Sequence, residues 1–163
     1  MAVWPPEEVV EALRAMDRPS ADVRWCPEPQ WHVTLRFLGS VDEASVPAVV
    51  DALSTVEVPA PTVTVGPKTK HLGPGVLMLP VKGLDDLAHE VMDATEDLVP
   101  DTEHRPFRGH LTVARAHHKG QIPRSLEGLP LSATWRASAF ALVHSHTKPT
   151  GAVYEDVATF PLT

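Results

Sequence analysis

Along residues 31–38, WHVTLRFL, apolar and polar positions alternate with a period of two. Val33, Leu35 and Phe37 fall on one side, and His32, Thr34 and Arg36 on the other. That pattern predicts a half-buried strand, which Gly39 closes. A second alternating stretch, HLTVARA at 110–116, sets His110, Thr112 and Ala114 on one side. Elsewhere the period lengthens. Val9, Leu13 and Met16 recur at helical spacing after Pro5 and Pro6, predicting a helix to about residue 16. Val46, Val49, Val50 and Leu53 form another helical stripe, which tolerates Pro47 only in its first turn. The longest such pattern is 84–98. Leu84, Leu87, Ala88, Val91, Thr95 and Leu98 line its buried side, Asp85 and Asp86 suit its positive end, and Pro100 marks its stop.

Further strands are expected near residues 1–4, 56–66, 76–81, 134–144 and 154–162, with a brief extended piece at Arg24 and Trp25. GPKTKHLGPG reads as a turn-rich loop whose Lys68 and Lys70 can guide an anion. Each half of the chain thus offers a strand, a helix and a His-x-Thr strand, a weak internal duplication. The fold class is α+β, with mainly antiparallel sheets and helices on the outer faces.

Composition narrows the setting. With 163 residues, 43% of them hydrophobic and 21% charged, the chain can bury the core of one domain or of two small lobes sharing an interface. A net charge of −7 argues against broad coating of nucleic acid, but not against a small cationic pocket for one phosphate. Cys26, alone, excludes an internal disulfide and a four-cysteine zinc site. No run reaches the roughly eighteen apolar residues of a membrane span, and MAVWPPEEVV turns acidic before any long apolar region. No membrane association is therefore expected, and the cytoplasm is the default location. There is no Walker loop or dinucleotide fingerprint. His117 and His118 are adjacent and His144 and His146 share a strand face, yet no carboxylate spacing completes a zinc motif. Neither metal nor cofactor is expected.

In a strand, residues i and i+2 project from one face, so His32 and Thr34 can reach one ligand, as can His110 and Thr112. Brought to one cleft, two imidazoles and two hydroxyls make a metal-free phosphate site. Histidine titrates near neutrality and serves as base or acid. Threonine hydroxyls donate to nonbridging phosphate oxygens. On the residues alone two readings stay open: such a site, and ordinary polar side chains on exposed sheet faces.

The segments RWCPEPQWHVTLRFLG at 24–39, RPFRGHLTVAR at 105–115 and SHTKPTGAVYEDVATFPL at 145–162 resemble the signatures of the 2H phosphoesterase superfamily. The resemblance is strongest to its bacterial and archaeal RNA 2',3'-cyclic phosphodiesterases, and it spans nearly the whole chain. It implies a single bilobal domain over 1–163, with pseudo-twofold lobes lining a central cleft. It implies metal-free hydrolysis of a terminal 2',3'-cyclic phosphate on RNA or a nucleotide to a 2'-phosphate, with reversible 2'-5' RNA ligation in some members. His32 and His110 become the catalytic histidines, and Thr34 and Thr112 phosphate ligands. His32 is assigned as acid toward the leaving 3' oxygen and His110 as base toward water. No obligate protein partner is implied, and a cleft complete within one chain favours a monomer.

Other residues are candidates for substrate contact. Arg36 shares the face of His32 and Thr34. Arg115 matches the family's arginine after the second motif, but strict alternation sets it opposite His110 unless a bulge or the strand end turns it inward. Arg105, Arg108 and Lys119 bracket the second motif and are candidates to steer an RNA end. Trp25, Trp31 and Phe107 offer either a stacking surface or core packing. Two departures stand out. Gly109 replaces the family's usual proline, which would loosen the entry to the second strand. The chain also starts almost inside its first strand, so either that edge is short or the start lies upstream. Two rival functions remain: a 2H enzyme for a small cyclic nucleotide metabolite, and a noncatalytic RNA-end binding protein.

Overall fold

The alternation at 110–116 builds the middle of the sheet. β7 (His110–Ala116) lies between β3 (Val33–Thr34) and β6 (Val76–Lys82), and β2 (Val23–Trp25) pairs with its C-terminal half. The computed structural model describes residues 1–99, 106–118 and 120–163, so Pro100, Arg105 and Lys119 lie outside the described residues. Beyond the centre, β1 (Ala2–Val3) joins β3 to the hairpin of β9 (Ala139–Lys148) and β10 (Gly151–Pro161). On the other flank β6 pairs with β4 (Thr62–Val65), which pairs with β8 (Ala133–Arg136), and β5 (Lys70–His71) adds to β6. All these pairings are antiparallel. With three α-helices beside them among the described residues, the architecture is α+β, as expected.

The helical stripes bury as their spacing predicts. Helix α1 (Glu7–Ala15) buries Val9 and Leu13, α2 (Val46–Leu53) buries Val49 and Leu53, and α3 (Asp85–Thr95) buries Leu87, Ala88, Val91 and Thr95. Pro47 sits in the first turn of α2, where no intrahelical donor is lost. These apolar side chains join Val33, Leu79 and Leu111 in one core cluster. Truncating a fully buried leucine such as Leu111 would cost about 2–5 kcal/mol.

Several expectations need correction. The strand predicted over 31–38 is only Val33–Thr34, because the chain bends at Leu35. Past the bend Arg36 is buried, and Phe37, expected beside Val33 and Leu35, is 74% exposed. The strand expected from residue 56 begins only at Thr62, since Pro59 and Pro61 have no N–H to give a ladder. The two C-terminal stretches are three strands, and the lysine-rich loop contributes the two-residue β5. Leu98 falls beyond the end of α3 and is 40% exposed.

Candidate active site

Val33 and Leu111 are direct partners across the antiparallel β3–β7 ladder, and both are fully buried. Continuing that register by one residue each way sets His32 opposite Thr112 and Thr34 opposite His110. All four side chains therefore leave the same face of the sheet. Diagonal neighbours in such a pair stand about 7–8 Å apart, so the two histidines flank a space suited to one phosphate. Both His-x-Thr pairs line a single cleft of about 890 Å³. The packing of Val33 and Leu111 into the core is what holds this arrangement.

Each imidazole is oriented by its own chain. His32 Nδ1 donates to the Gln30 carbonyl at 2.9 Å, and His110 Nδ1 donates to the Arg108 carbonyl at 2.6 Å. A carbonyl only accepts, so Nδ1 carries a proton in both rings and Nε2 is the atom free to exchange one. His32 Nε2 lies 3.1 Å from Thr34 Oγ1. Burial pushes the His32 imidazole below its ordinary pKa. The Gln30 carbonyl partly offsets this, and the N-terminal amine, His110 and Arg115 deepen the depression. A bound anion would offset the positive charge of Arg115 beside that ring.

A β-bulge brings Arg115 to the same face. Leu77 pairs with Ala114 and Met78 with Thr112, leaving Val113 as the extra residue on β7. The inserted residue inverts the alternation, so Ala114 is buried with Leu111, and Arg115 follows His110 and Thr112 into the cleft lining. Gly109, just before the strand, is closely packed. A Cβ there would stand 2.4 Å from the Val81 carbonyl oxygen, and Val81 N–H donates to the Gly109 carbonyl at 2.9 Å. The strand entry is thus tight where a looser one was expected.

Arg36 is placed differently from its strand neighbours. It borders the cleft, but its Nη1 donates to the Met92 carbonyl at 2.7 Å and to Thr95 Oγ1 at 2.8 Å. It ties the bend after β3 to the last turn of α3, where a cation meets helix carbonyls favourably. Trp25 and Phe107 are half-buried against the core and do not line the cleft. Trp25 pairs with Ala114, on the face opposite Arg115. Trp31 is buried, with its Nε1 donating to the Cys26 carbonyl. Arg108 is exposed, and its backbone carbonyl rather than its side chain serves the site.

Two aromatic rings escaped the sequence reading as site residues. Tyr154 and Trp4 contact His32 edge-on, with ring centroids 4.7 Å and 5.4 Å away. Trp4 Nε1 also donates to Asp156 Oδ1 at 2.9 Å. Tyr154 pairs with Ser145 in the β9–β10 hairpin, and both border the cleft. Tyr154 lay within the C-terminal segment of the resemblance, but nothing local marks Trp4. The His144 and His146 rings lie 3.9 Å apart, and His146 faces Glu155 at 3.6 Å. Among the described residues no group of three or more His, Cys, Asp or Glu side chains is placed to hold a metal ion. Nor is any described helix long and apolar enough to cross a membrane.

Residues 3–68 match the family model described as LigT like Phosphoesterase. The chain is 32% identical over 180 residues to an RNA 2',3'-cyclic phosphodiesterase of Thermus thermophilus, covering 99% of this chain and 88% of the relative. It is 26% identical over 170 residues to an RNA 2',3'-cyclic phosphodiesterase of Geobacillus stearothermophilus, covering 93% of this chain and 54% of that relative, so it spans about half that protein's length. The crystal structure of E. coli LigT complexed with 3'-AMP superposes with a TM-score of 0.78 at 26% identity, covering 99% of this chain and 95% of that one.

Proposed function

Because the chain belongs to the LigT-like phosphoesterase family, we propose that it hydrolyses RNA ends closed by a 2',3'-cyclic phosphate, leaving a 2'-phosphate. The observation that carries this reading is the Val33–Leu111 register, which gathers two histidines and two threonines on one face. The names of both relatives, RNA 2',3'-cyclic phosphodiesterases, support the substrate class.

Thr34 and Thr112 hydroxyls donate to the nonbridging phosphate oxygens, and Arg115 adds a positive charge at the same face. Water attacks phosphorus while His110 Nε2 takes its proton. The P–O3' bond breaks as His32 Nε2 gives a proton to the departing 3' oxygen. With an RNA 5'-hydroxyl in place of water, the same displacement forms a 2'-5' linkage, and the two roles exchange in the reverse direction. The depressed pKa of His32 favours the neutral ring in the free protein. The acid role therefore depends on the bound phosphate, whose negative charge favours the protonated ring. The same observation favours a second reading in which His32 is the base and His110 the acid.

Phosphorus NMR of the product from an oligoribonucleotide ending in 2',3'-cyclic phosphate tests the proposal. A 2'-phosphate is expected, and a 3'-phosphate would reverse the leaving-group assignment. ADP-ribose cyclic phosphate, assayed alongside, should be the poorer substrate; strong selectivity for it would move the function to a small nucleotide metabolite. Binding of the RNA end with no turnover across a broad pH range would identify a noncatalytic binder.

A further inference from the structure

The two imidazoles are not held alike. His110 has the shorter carbonyl bond, 2.6 Å against 2.9 Å for His32, and makes no aromatic contact among the described residues. His32 meets two rings, Tyr154 at 4.7 Å and Trp4 at 5.4 Å, and these two also meet each other edge-on at 6.4 Å. Three rings in mutual contact leave the imidazole little room to turn. That matters because rotation about the Cβ–Cγ bond of histidine is soft and roughly two-fold. A half-turn takes Nδ1 off the Gln30 carbonyl and Nε2 off Thr34, and leaves ring carbons where the nitrogens stood. The β1–β3 register, Ala2 with Thr34 and Val3 with Val33, sets Trp4 beside His32 when continued by one residue. Trp4 lies just past the end of β1, and its indole is fastened at the far side. Its Nε1 donates to Asp156 Oδ1 at 2.9 Å, a charge-assisted bond to β10. Asp156 is exposed and makes no ion pair among the described residues. Trp4 does not border the cleft, so it acts through His32 rather than on substrate.

We propose that Trp4 is a positioning residue for His32: anchored by Asp156, its indole and the Tyr154 ring hold the imidazole with Nδ1 on the Gln30 carbonyl and Nε2 toward the cleft. The inference rests on the proposed function only in taking His32 Nε2 as a proton-exchanging atom. Loosening the indole leaves Thr34, Thr112 and Arg115 in place, so the cost falls on kcat and not on KM.

Nitrogen NMR of the imidazoles in the free protein, beside steady-state turnover of adenosine 2',3'-cyclic phosphate, tests this. Wild type should carry the proton of neutral His32 on Nδ1. Trp4→Leu should move part of that population to the Nε2–H form and lower kcat about three- to tenfold, with KM unchanged. Trp4→Phe keeps a ring without the N–H and should lose less. Asp156→Asn still accepts from the indole and should match wild type. Asp156→Leu should lose about as much as Trp4→Phe, and adding it to Trp4→Phe should cost nothing more, because the bond it removes is already gone. A wild-type His32 spectrum in Trp4→Leu, a loss that falls on KM, or additive losses in the double variant would each overturn the proposal. If Trp4→Leu does not fold, the exposed Asp156→Leu and the double variant decide it. The two proposals fail separately. A His32 ring released in Trp4→Leu, with no turnover in any of the proteins, keeps the positioning role and sinks the reaction. Turnover with His32 unmoved in Trp4→Leu does the reverse.

Discussion

His32 and His110 occupy diagonal corners of a four-residue patch because Val33 and Leu111, directly opposed and fully buried, lock the register between their strands. A slip of one residue would send one His-x-Thr pair to the far side of the sheet. The proposed chemistry thus depends on two aliphatic side chains that lie wholly within the core.

Removing either imidazole should abolish most activity without unfolding the protein, since both rings are only half-buried. His32→Ala and His110→Ala are expected to lower kcat by on the order of 10²–10⁴. Steady-state turnover beside far-UV circular dichroism checks this, and wild-type turnover in either variant would remove that histidine from the mechanism.

The pH profile of kcat/KM separates the two orders of proton transfer. If His32 is the acid in the free enzyme, its depressed pKa places the descending limb below the ordinary histidine value of 6.5, and activity falls as pH rises through it. If His32 is the base, that same pKa governs an ascending limb, and activity rises as pH passes it. His32→Ala, with residual turnover measured across pH, identifies which limb belongs to this ring.

Arg36 should matter to stability more than to chemistry. Arg36→Met removes charged hydrogen bonds to Met92 and Thr95 and is expected to destabilise the fold by about 1.5–3 kcal/mol. Urea denaturation measures the loss. A variant as stable as wild type but with turnover as low as the histidine variants would instead put Arg36 on the substrate.

At Gly109 a single methyl group is expected to be disruptive, because it would lie 2.4 Å from a backbone oxygen of β6. Gly109→Ala should cost about 1–3 kcal/mol through overpacking and lower kcat by displacing the start of β7, where His110 sits. Unchanged stability and turnover would mean that this strand entry has slack.

Tyr154 meets His32 edge-on through its ring. Tyr154→Phe should stay near wild type, while Tyr154→Leu should lose up to about tenfold in kcat, the scale of one edge-on aromatic contact. A large loss in the phenylalanine variant would point to the hydroxyl instead.

Much of this was readable from local pattern. The helical stripes as far as Thr95 and the β7 alternation through Thr112 depend on neighbours within a turn or a pleat, and they appear where expected. What failed depended on distant partners. The Leu35 bend is held by Arg36 reaching α3 some 56 residues away, and without that tether in view Phe37 looked like core. The bulge was invisible because Val113 and Ala114 are both apolar, so either phase fits the composition. Trp4 and Asp156 are separated by 152 residues, beyond any periodicity.

The carbonyls that orient both imidazoles belong to the main chain, two positions upstream of each ring. Every amino acid carries that oxygen, so no exchange of side chain at position 30 or 108 deletes it. Descendants of this sequence can therefore drift in what they admit to the cleft while the placement of the exchangeable protons is inherited intact.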